Sequence, residues 1–446
     1  MSKNVREVAL DSLIQIEKNQ AYSNLLLNQM IQKSNLASKD IGLLTEIVYG
    51  TIQRRLTLDY FLQPFIRNSK KMEAWVLILL RISIYQMVYL DRIPERAIIH
   101  EAVEIAKKRG HRGISGMVNG ILRSIQRQGI PSLEEIKDPL ERLAIQMSFP
   151  RWLIEKWVMQ YGEEETRKIC ESYLIPPKIT ARINRMKATK EHVISLLEDE
   201  NISARQGDLS IDAITIEKGN LAKTSVFQQG YVTIQDESSM LVARALDIND
   251  GQHVLDSCAA PGGKTTHIAD LLHNTGKVFS VDLHPHKVKL IEDQVTRLQL
   301  KNVETLVHDS RRLHHIFQPE SFDRILVDAP CSGFGVIRRK PDIKYSKKAE
   351  DSNNLTKIQL NILNNVVGLL KKGGKLVYST CTIDHEENTG VVNKFLKENR
   401  DMILDDTLAD RMPEALRPLV KGGQVQILPH YFGTDGFYIA SFRKQV

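Results

Sequence analysis

Two cysteines stand where catalytic thiols are expected. Cys331 follows an apolar segment that ends in Val327 and Asp328, and Cys381 follows another that ends in Thr380. A thiolate is a strong nucleophile, and covalent catalysis divides a difficult step into easier ones. A second thiol beside the first is suited to breaking the covalent bond later. Near a nucleotide cofactor, this pair favours methylation of a pyrimidine carbon, although a lone cysteine at a strand end is usually a small buried apolar residue.

A cofactor-type motif precedes both thiols. An apolar segment, 253–257, leads into small residues and then a helical pattern, which lets the backbone approach a ligand. The dinucleotide pattern Gly-x-Gly-x-x-Gly is missing, and a phosphate-binding P-loop would need glycine at position 258, where cysteine stands. We therefore expect a different cofactor, bound by the residues Cys258, Ala259, Ala260, Pro261, Gly262, Gly263 and Lys264.

Carboxylates narrow the choice of cofactor. Four successive predicted strands carry an aspartate near their carboxyl ends, namely Asp256, Asp282, Asp309 and Asp328. A ribose, an adenine and a cationic sulfonium tolerate carboxylates, whereas a pyrophosphate does not. The series favours S-adenosylmethionine, with Asp282 at the ribose hydroxyls and Asp309 near an adenine edge. Any one of these aspartates alone is equally typical of a turn or a helix cap.

A basic segment near residue 110 is typical of nucleic-acid binding. Between Ile105 and Leu133 there is no Asp or Glu, and glycines lie among the cations. Such a surface lets a polyanion backbone approach closely, although a charge run alone is as often a solvated helix face. The cations that we expect to bind RNA are Lys107, Lys108, Arg109, Arg112 and Arg123, and Arg127 lies in the same stretch.

A second basic segment follows Cys331. We expect it to hold phosphates around a target base that has left its stack, because phosphate contacts position a nucleic acid. The alternative is a solvated basic loop. The residues concerned are Arg338, Arg339, Lys340, Lys344, Lys347 and Lys348.

The apolar periodicity predicts three parts. Residues 1–135 read as helices, including 74–90, 95–109 and 113–127. Residues 136–245 read as a small α+β linker, beginning with one helix over 151–173. Residues 246–446 alternate strand and helix and end in an antiparallel hairpin, which predicts a doubly wound parallel sheet.

Composition sets the broad class of protein. The chain has 446 residues and a formal net charge of +7, typical of a globular protein with surface lysines or an anionic partner. Its four cysteines have no zinc-ligand spacing, so we expect no metal and a reducing compartment. The most apolar stretch, 74–90, is interrupted by Arg81 and Gln86 and reads as a core helix. We predict a cytoplasmic protein without membrane contact, and a monomer.

These motifs together resemble the RNA (cytosine-5) methyltransferases of the NOL1/NOP2/Sun family. The matching segments are 256–264, 328–333 with 338–342, and 379–381 with 386–388, and the helical part resembles a NusB-type RNA-binding domain. The resemblance implies a Rossmann-like catalytic domain, S-adenosylmethionine as cofactor and 16S rRNA as partner. It implies that Cys381 is the nucleophile and that Cys331 assists release. Asp328 is then expected to contact the ring nitrogen or the exocyclic amine of the base, and Lys264 to steady the polar groups of the site. One departure is Thr382, where the family often has serine.

Two other functions stay open. A tRNA or another rRNA could be the substrate of the same chemistry, or the chain could be a non-catalytic RNA-binding factor in ribosome assembly. Loss of either thiol would favour the assembly factor, and both thiols are present. DNA cytosine methyltransferases use the Pro-Cys thiol as nucleophile, so the roles of Cys331 and Cys381 could also be exchanged.

Overall fold

The computed structural model describes residues 4–19, 23–34, 36–66 and 72–446. The chain forms two compact units. One unit comprises Met1–Ile175 and Ile337–Ala349, and the other comprises Pro176–Val336 and Glu350–Val446. The division into 1–135, 136–245 and 246–446 differs from this grouping and stays a prediction.

The first unit is helical. The predicted helix over 151–173 is in fact two helices, because Gly162 between them has a φ of +83°, which favours glycine. Arg81 lies buried in the apolar α5 because it binds Asp59 at 2.7 Å and Glu17 at 2.9 Å. No helix among the described residues is long and apolar enough to cross a membrane. The helices are α1 (Val5–Asn19), α2 (Ser23–Ser34), α3 (Ser38–Gln53), α4 (Arg55–Leu62), α5 (Ala74–Tyr89), α6 (Glu95–Arg109), α7 (Arg112–Gln128), α8 (Pro139–Met147), α9 (Arg151–Tyr161) and α10 (Glu163–Tyr173).

The second unit begins with a small antiparallel sheet in the order β2-β3-β1-β4. Its inner face packs apolar side chains such as Ile183 and Ile214 against Leu197 of a helix. The prediction of an α+β part is confirmed here. The elements are β1 (Ile179–Ile183), α11 (Lys190–Asp199), β2 (Ser203–Gln206), β3 (Ala213–Lys218), α12 (Ser225–Gln228) and β4 (Val232–Ile234).

A larger sheet completes this unit, in the order β10-β12-β9-β8-β5-β6-β7 with β11 paired to β12. Strands β5 to β9 are parallel, and the last three strands are antiparallel. The order reverses between β5 and β8, and open α/β sheets bind ligands at the carboxyl ends of strands beside such a switch. The elements are α13 (Glu237–Ala245), β5 (His253–Asp256), α14 (Gly263–Leu271), β6 (Lys277–Asp282), α15 (Pro285–Leu298), β7 (Val303–Val307), β8 (Phe322–Asp328), α16 (Ile343–Ser346), α17 (Asp351–Val366), β9 (Leu370–Thr380), α18 (Thr389–Glu398), β10 (Met402–Leu404), β11 (Gln424–Ile427) and β12 (Phe437–Lys444).

The segment 337–349, which contains α16, belongs to the helical unit although it lies between β8 and α17 in the chain. Lys344 is fully buried there, and its ammonium donates to the carbonyl of Gln53 at 2.8 Å and lies 4.1 Å from the ring centre of Phe149. Burial lowers the pKa of Lys344 well below its ordinary value. The expectation that Lys344 holds RNA phosphates is wrong, because its side chain is buried inside the helical unit, where no phosphate reaches it.

Candidate active site at the switch point

The two thiols meet at the carboxyl edge of the large sheet. The sulfurs of Cys331 and Cys381 lie 3.4 Å apart. Strands β8 and β9 are parallel neighbours with Asp328 opposite Ser379, so the residues that follow each strand are brought side by side. The amide of Ala329 donates to the carbonyl of Ser379 at 2.9 Å and extends the pairing toward the thiols.

A charged pair lies on the same edge. The ammonium of Lys264, in the first turn of α14, donates to Asp328 at 2.7 Å, and the hydroxyl of Ser379 donates to the other carboxylate oxygen at 2.8 Å. Burial alone would lower the pKa of Lys264, but Asp328 reverses this effect and raises it. Lys264 therefore stays charged and keeps Asp328 oriented beside the strand ends.

The described cysteines differ in proton affinity. The hydrogen bond with Cys381 and then burial raise the pKa of Cys331 well above its ordinary value. Burial raises the pKa of Cys258 to about 12, and it also raises the pKa of Cys170, a core residue of the helical unit. Cys258 and Cys170 are therefore poor nucleophiles. Its neighbouring thiol and its burial thus favour the protonated form of Cys331.

The cofactor loop turns sharply beside β5. The amide of Ala259 donates to the carbonyl of Val281 in β6 at 2.9 Å, and that of Gly262 donates back to the carbonyl of Ala259 at 2.8 Å. Gly262 has a φ of +103°, and a Cβ there would lie 3.1 Å from the Cα of Ile291. Only glycine fits this close approach without strain, as the small-residue motif predicts.

The carboxylates at the strand ends have different tasks. Asp256 is fully buried and accepts from Thr265 at 2.7 Å, and burial raises its pKa to about 7, so it supports the loop from inside. Asp282 accepts from the amide of His284 at 3.2 Å and ends the neighbouring strand, where ribose hydroxyls are bound in such sheets. Asp309 caps the turn after β7 and pairs with Arg311 at 2.6 Å.

The donor set fits S-adenosylmethionine. Gly263 leaves room beside the backbone, since a Cβ there would meet nothing closer than 3.7 Å. Asp282 at the next strand end offers acceptors for a ribose. The loop has no cluster of cations for a pyrophosphate, and its one lysine, Lys264, is paired with Asp328.

Acidic residues offset three cations of the first predicted RNA-binding segment. Lys107 pairs with Glu104 at 2.6 Å, Lys108 pairs with Glu7 at 2.8 Å, and Arg109 pairs with Asp11. These acids come from α1 or from α6 before Ile105, outside the acid-free stretch. Arg112 and Arg123 are exposed on α7, and they stay the stronger part of the prediction.

The second predicted segment lies in the helical unit. Arg338 is buried, and Arg339 and Lys340 are half-buried. A buried guanidinium is poorly placed to reach a phosphate. A role of Arg339 and Lys340 in RNA binding stays a prediction.

Sequence reasoning missed several residues that shape the site. Gln359 of α17 donates to the carbonyl of Pro330 at 2.9 Å. The buried Arg182 of β1 donates to the carbonyl of Gly263 at 2.6 Å and to Thr266 at 3.0 Å, which ties the small sheet to α14. No spacing pattern marks these two residues. Ser379 and Glu387 lie inside quoted motifs, but nothing in the sequence says what they touch.

Three family models match the parts of this chain. A family model described as "16S rRNA methyltransferase RsmB/F" matches residues 243–443. A NusB family model matches residues 3–127, and a ferredoxin-like domain of RsmF/B-like methyltransferases matches residues 149–221. The predicted fold class is thereby confirmed in its three parts, as is the predicted cofactor, S-adenosylmethionine.

Relatives match over the full length. The chain is 55% identical over 442 residues to the probable ribosomal RNA small subunit methyltransferase B of Bacillus subtilis, with 99% of each chain covered. It is 33% identical over 445 residues to the ribosomal RNA small subunit methyltransferase B of Yersinia enterocolitica, again with 99% of each covered. A methyltransferase homologue from Pyrococcus horikoshii has a solved structure that is 26% identical, with a TM-score of 0.59, covering 69% of this chain and 99% of its own. By its full-length relatives, its three matching domains and its cofactor loop, the chain belongs to the RsmB/F family of 16S rRNA methyltransferases and is an S-adenosylmethionine-dependent RNA methyltransferase.

Proposed function

We propose that this enzyme methylates carbon 5 of a cytosine in 16S rRNA, through a temporary bond between the Cys381 sulfur and carbon 6 of the base. The observation that carries the proposal is the 3.4 Å separation of the Cys331 and Cys381 sulfurs. The Lys264–Asp328 pair lies at the same strand ends. A base in this corner meets a nucleophile, a second thiol and an oriented carboxylate together.

The first half of the reaction builds the adduct. Cytosine carbon 5 is a poor nucleophile, and addition of the Cys381 thiolate to carbon 6 makes carbon 5 electron-rich. Asp328 contacts the ring nitrogen or the exocyclic amine, and Lys264 steadies that carboxylate at 2.7 Å. S-adenosylmethionine, held by the loop 258–264 and by Asp282, supplies an electrophilic methyl group when bound.

The second half breaks the adduct. Carbon 5 loses its proton to solvent, the electron pair forms the carbon 5–carbon 6 double bond, and the Cys381 sulfur leaves with the electrons of the carbon–sulfur bond. Because the pKa of Cys331 is raised, this thiol keeps its proton at neutral pH and donates a hydrogen bond to the departing sulfur. Release regenerates the Cys381 thiolate and the free 5-methylcytosine.

The helical unit captures the RNA in this proposal. Arg112 and Arg123 are exposed on α7 beside Gly116 and Gly120, whose added Cβ atoms would meet no atom within 4 Å. Packing therefore does not require these glycines, although each costs a helix about 1 kcal/mol relative to alanine. Gly116→Ala should stabilise the protein and weaken RNA binding, measured by thermal unfolding and a salt-dependent binding titration. Unchanged RNA affinity would mean that these glycines are not part of the surface that binds RNA.

Mapping of 5-methylcytosine tests the whole proposal. Ribosomal RNA from cells with and without this protein is compared, and purified enzyme is given 16S rRNA with S-adenosylmethionine. We expect one cytosine of 16S rRNA to lose its methyl group in the deletion strain and to regain it with the enzyme. An unchanged 16S rRNA map with a change in tRNA or 23S rRNA would mean that the changed RNA is the substrate. No change in any RNA would favour the assembly factor.

We place the reaction in the cytoplasm, which suits free thiols, and expect a monomer.

A further inference from the structure

The peptide groups on both sides of Cys331 are held by one pair of side chains. The amide nitrogen of Gln359 donates to the carbonyl of Pro330 at 2.9 Å. The carboxylate of Glu387 accepts from the backbone amide of Ser332 at 2.9 Å. Gln359 and Glu387 are themselves joined by a bond of 2.9 Å. The backbone of Cys331 is therefore clamped from both sides.

The same pair is anchored to the segment that carries Cys381. The hydroxyl of Tyr378 in β9 donates to the carbonyl of Glu387 at 2.6 Å. The neighbouring Asn388 accepts from Thr380 at 2.6 Å and donates to the carbonyl of Thr382 at 3.0 Å, on either side of Cys381. Glu387 and Gln359 therefore link the backbone around Cys331 to the segment that carries Cys381.

The fold alone gives little reason for a charged group here. Gln359 and Glu387 are both fully buried, and a buried carboxylate pays a desolvation cost that an apolar side chain of similar size avoids. Burial raises the pKa of Glu387, and the charge of Glu387 in turn contributes to the raised pKa of Cys331. The pair thus fixes the backbone that carries Cys331 and also favours the protonated form of the Cys331 thiol.

We propose that Gln359 and Glu387 are positioning residues that hold the Cys331 thiol against the sulfur of Cys381 for the release step, an inference that rests on the covalent mechanism proposed above. Methyl transfer needs Cys381 and the cofactor, whereas release needs both sulfurs in contact. Loss of the clamp affects the second half of the reaction more than the first.

The test separates the two halves. Gln359→Met and Glu387→Met keep the side-chain volumes approximately and remove the donors of one residue and the acceptors and charge of the other. With enzyme in excess over 16S rRNA, we expect methyl transfer within about threefold of wild type, but at least about tenfold slower turnover with substrate in excess. A covalent protein–RNA band should accumulate on denaturing gels. The matched control is Thr356→Val, because Thr356 lies on the same helix, is buried, and bonds only within α17.

The outcomes distinguish this inference from the mechanism on which it rests. Cys331→Ala is run in parallel. If Cys331→Ala gives a covalent band and the two clamp variants do not, the positioning role is refuted and the covalent mechanism stands. If none of the three gives a band, Cys331 does not act in release, and that part of the proposed mechanism, on which this inference rests, is refuted. Equal slowing of transfer and turnover without a band, at unchanged unfolding temperature, would reduce the pair to a structural role.

Discussion

The loops that carry Cys331 and Cys381 end neighbouring parallel strands, but they are held in place differently. The Cys381 segment is held in part by its own sequence neighbours, since Asn388 bonds to Thr380 and Thr382, and in part by a bond from Asn388 to the distant Gln426. The Cys331 loop depends on side chains from elsewhere, Gln359 of α17 and Glu387 after β9. The nucleophile is thus placed partly by residues of its own segment, whereas its partner is placed by side chains distant in the chain. Distant substitutions should therefore disturb release more easily than bond formation.

The largest effect should come from the nucleophile. Cys381→Ala removes the sulfur that bonds to carbon 6, so methyl transfer should fall by at least about 10³-fold. Cofactor binding, measured by calorimetry, should be unchanged because the loop 258–264 is untouched. Cys170→Ala, in the core of the helical unit, is the matched cysteine control. Substantial activity in Cys381→Ala would exchange the roles of the two thiols.

The next effect tests the local support of Cys381. Asn388→Leu leaves the hydroxyl of Thr380, the carbonyl of Thr382 and the side chain of Gln426 without their partner. We expect a loss of about 2–4 kcal/mol in the free energy of unfolding. Methyl transfer with enzyme in excess should slow by about 10–100-fold, without a covalent band. A band, or slow release with normal transfer, would contradict the contrast between the two loops.

A smaller effect concerns the proton of Cys331. Its hydrogen bond with Cys381 is the first cause of its raised pKa, so Cys381→Ala should lower that pKa. The thiolate fraction of Cys331 then rises at a given pH, and the inflection in its alkylation rate by iodoacetamide should move to lower pH. Peptide mass spectrometry across pH 6–10 reports this, with Cys258 as internal control. An inflection that stays at the same pH or moves to higher pH would show that the hydrogen bond with Cys381 is not the main cause of the raised pKa of Cys331.

The smallest effect is expected at Thr382. Its hydroxyl bonds to Ser332 at 2.7 Å and accepts from the amide of Asp384 at 3.3 Å. Thr382→Ser keeps this hydroxyl, so turnover should change by less than about twofold, whereas Thr382→Val should cost about 1–2 kcal/mol of unfolding free energy. Steady-state kinetics and denaturant unfolding compare the two. A large loss in Thr382→Ser would mean that the methyl group, not the hydroxyl, is needed.

The sequence predicts the strand ends better than it predicts what surrounds them. Cys331, Cys381, Asp328 and the glycine loop could be placed, because alternating strands and helices bring the carboxyl ends of parallel strands together. Gln359 could not be placed, since a glutamine inside an amphipathic helix has no pattern that names its partner. The prediction for Lys344 was wrong for a related reason. A lysine in a basic run is typical of a solvated surface, whereas the burial of Lys344 depends on contacts with Gln53 and Phe149, which are far away in the chain. Gly162, in contrast, carries a sequence signal: a glycine inside the predicted helix over 151–173 is a typical helix end, and the single predicted helix did not use it.

The most direct test of the covalent account is to locate the protein–RNA bond itself. Cys331→Ala enzyme is incubated with 16S rRNA and S-adenosylmethionine, the covalent band is isolated, and nuclease and protease digestion is followed by mass spectrometry of the linked peptide. The account predicts a 5-methylcytosine nucleotide attached to Cys381. A nucleotide attached to another residue, or no linked peptide while methylated RNA is still released at the wild-type rate, would contradict it.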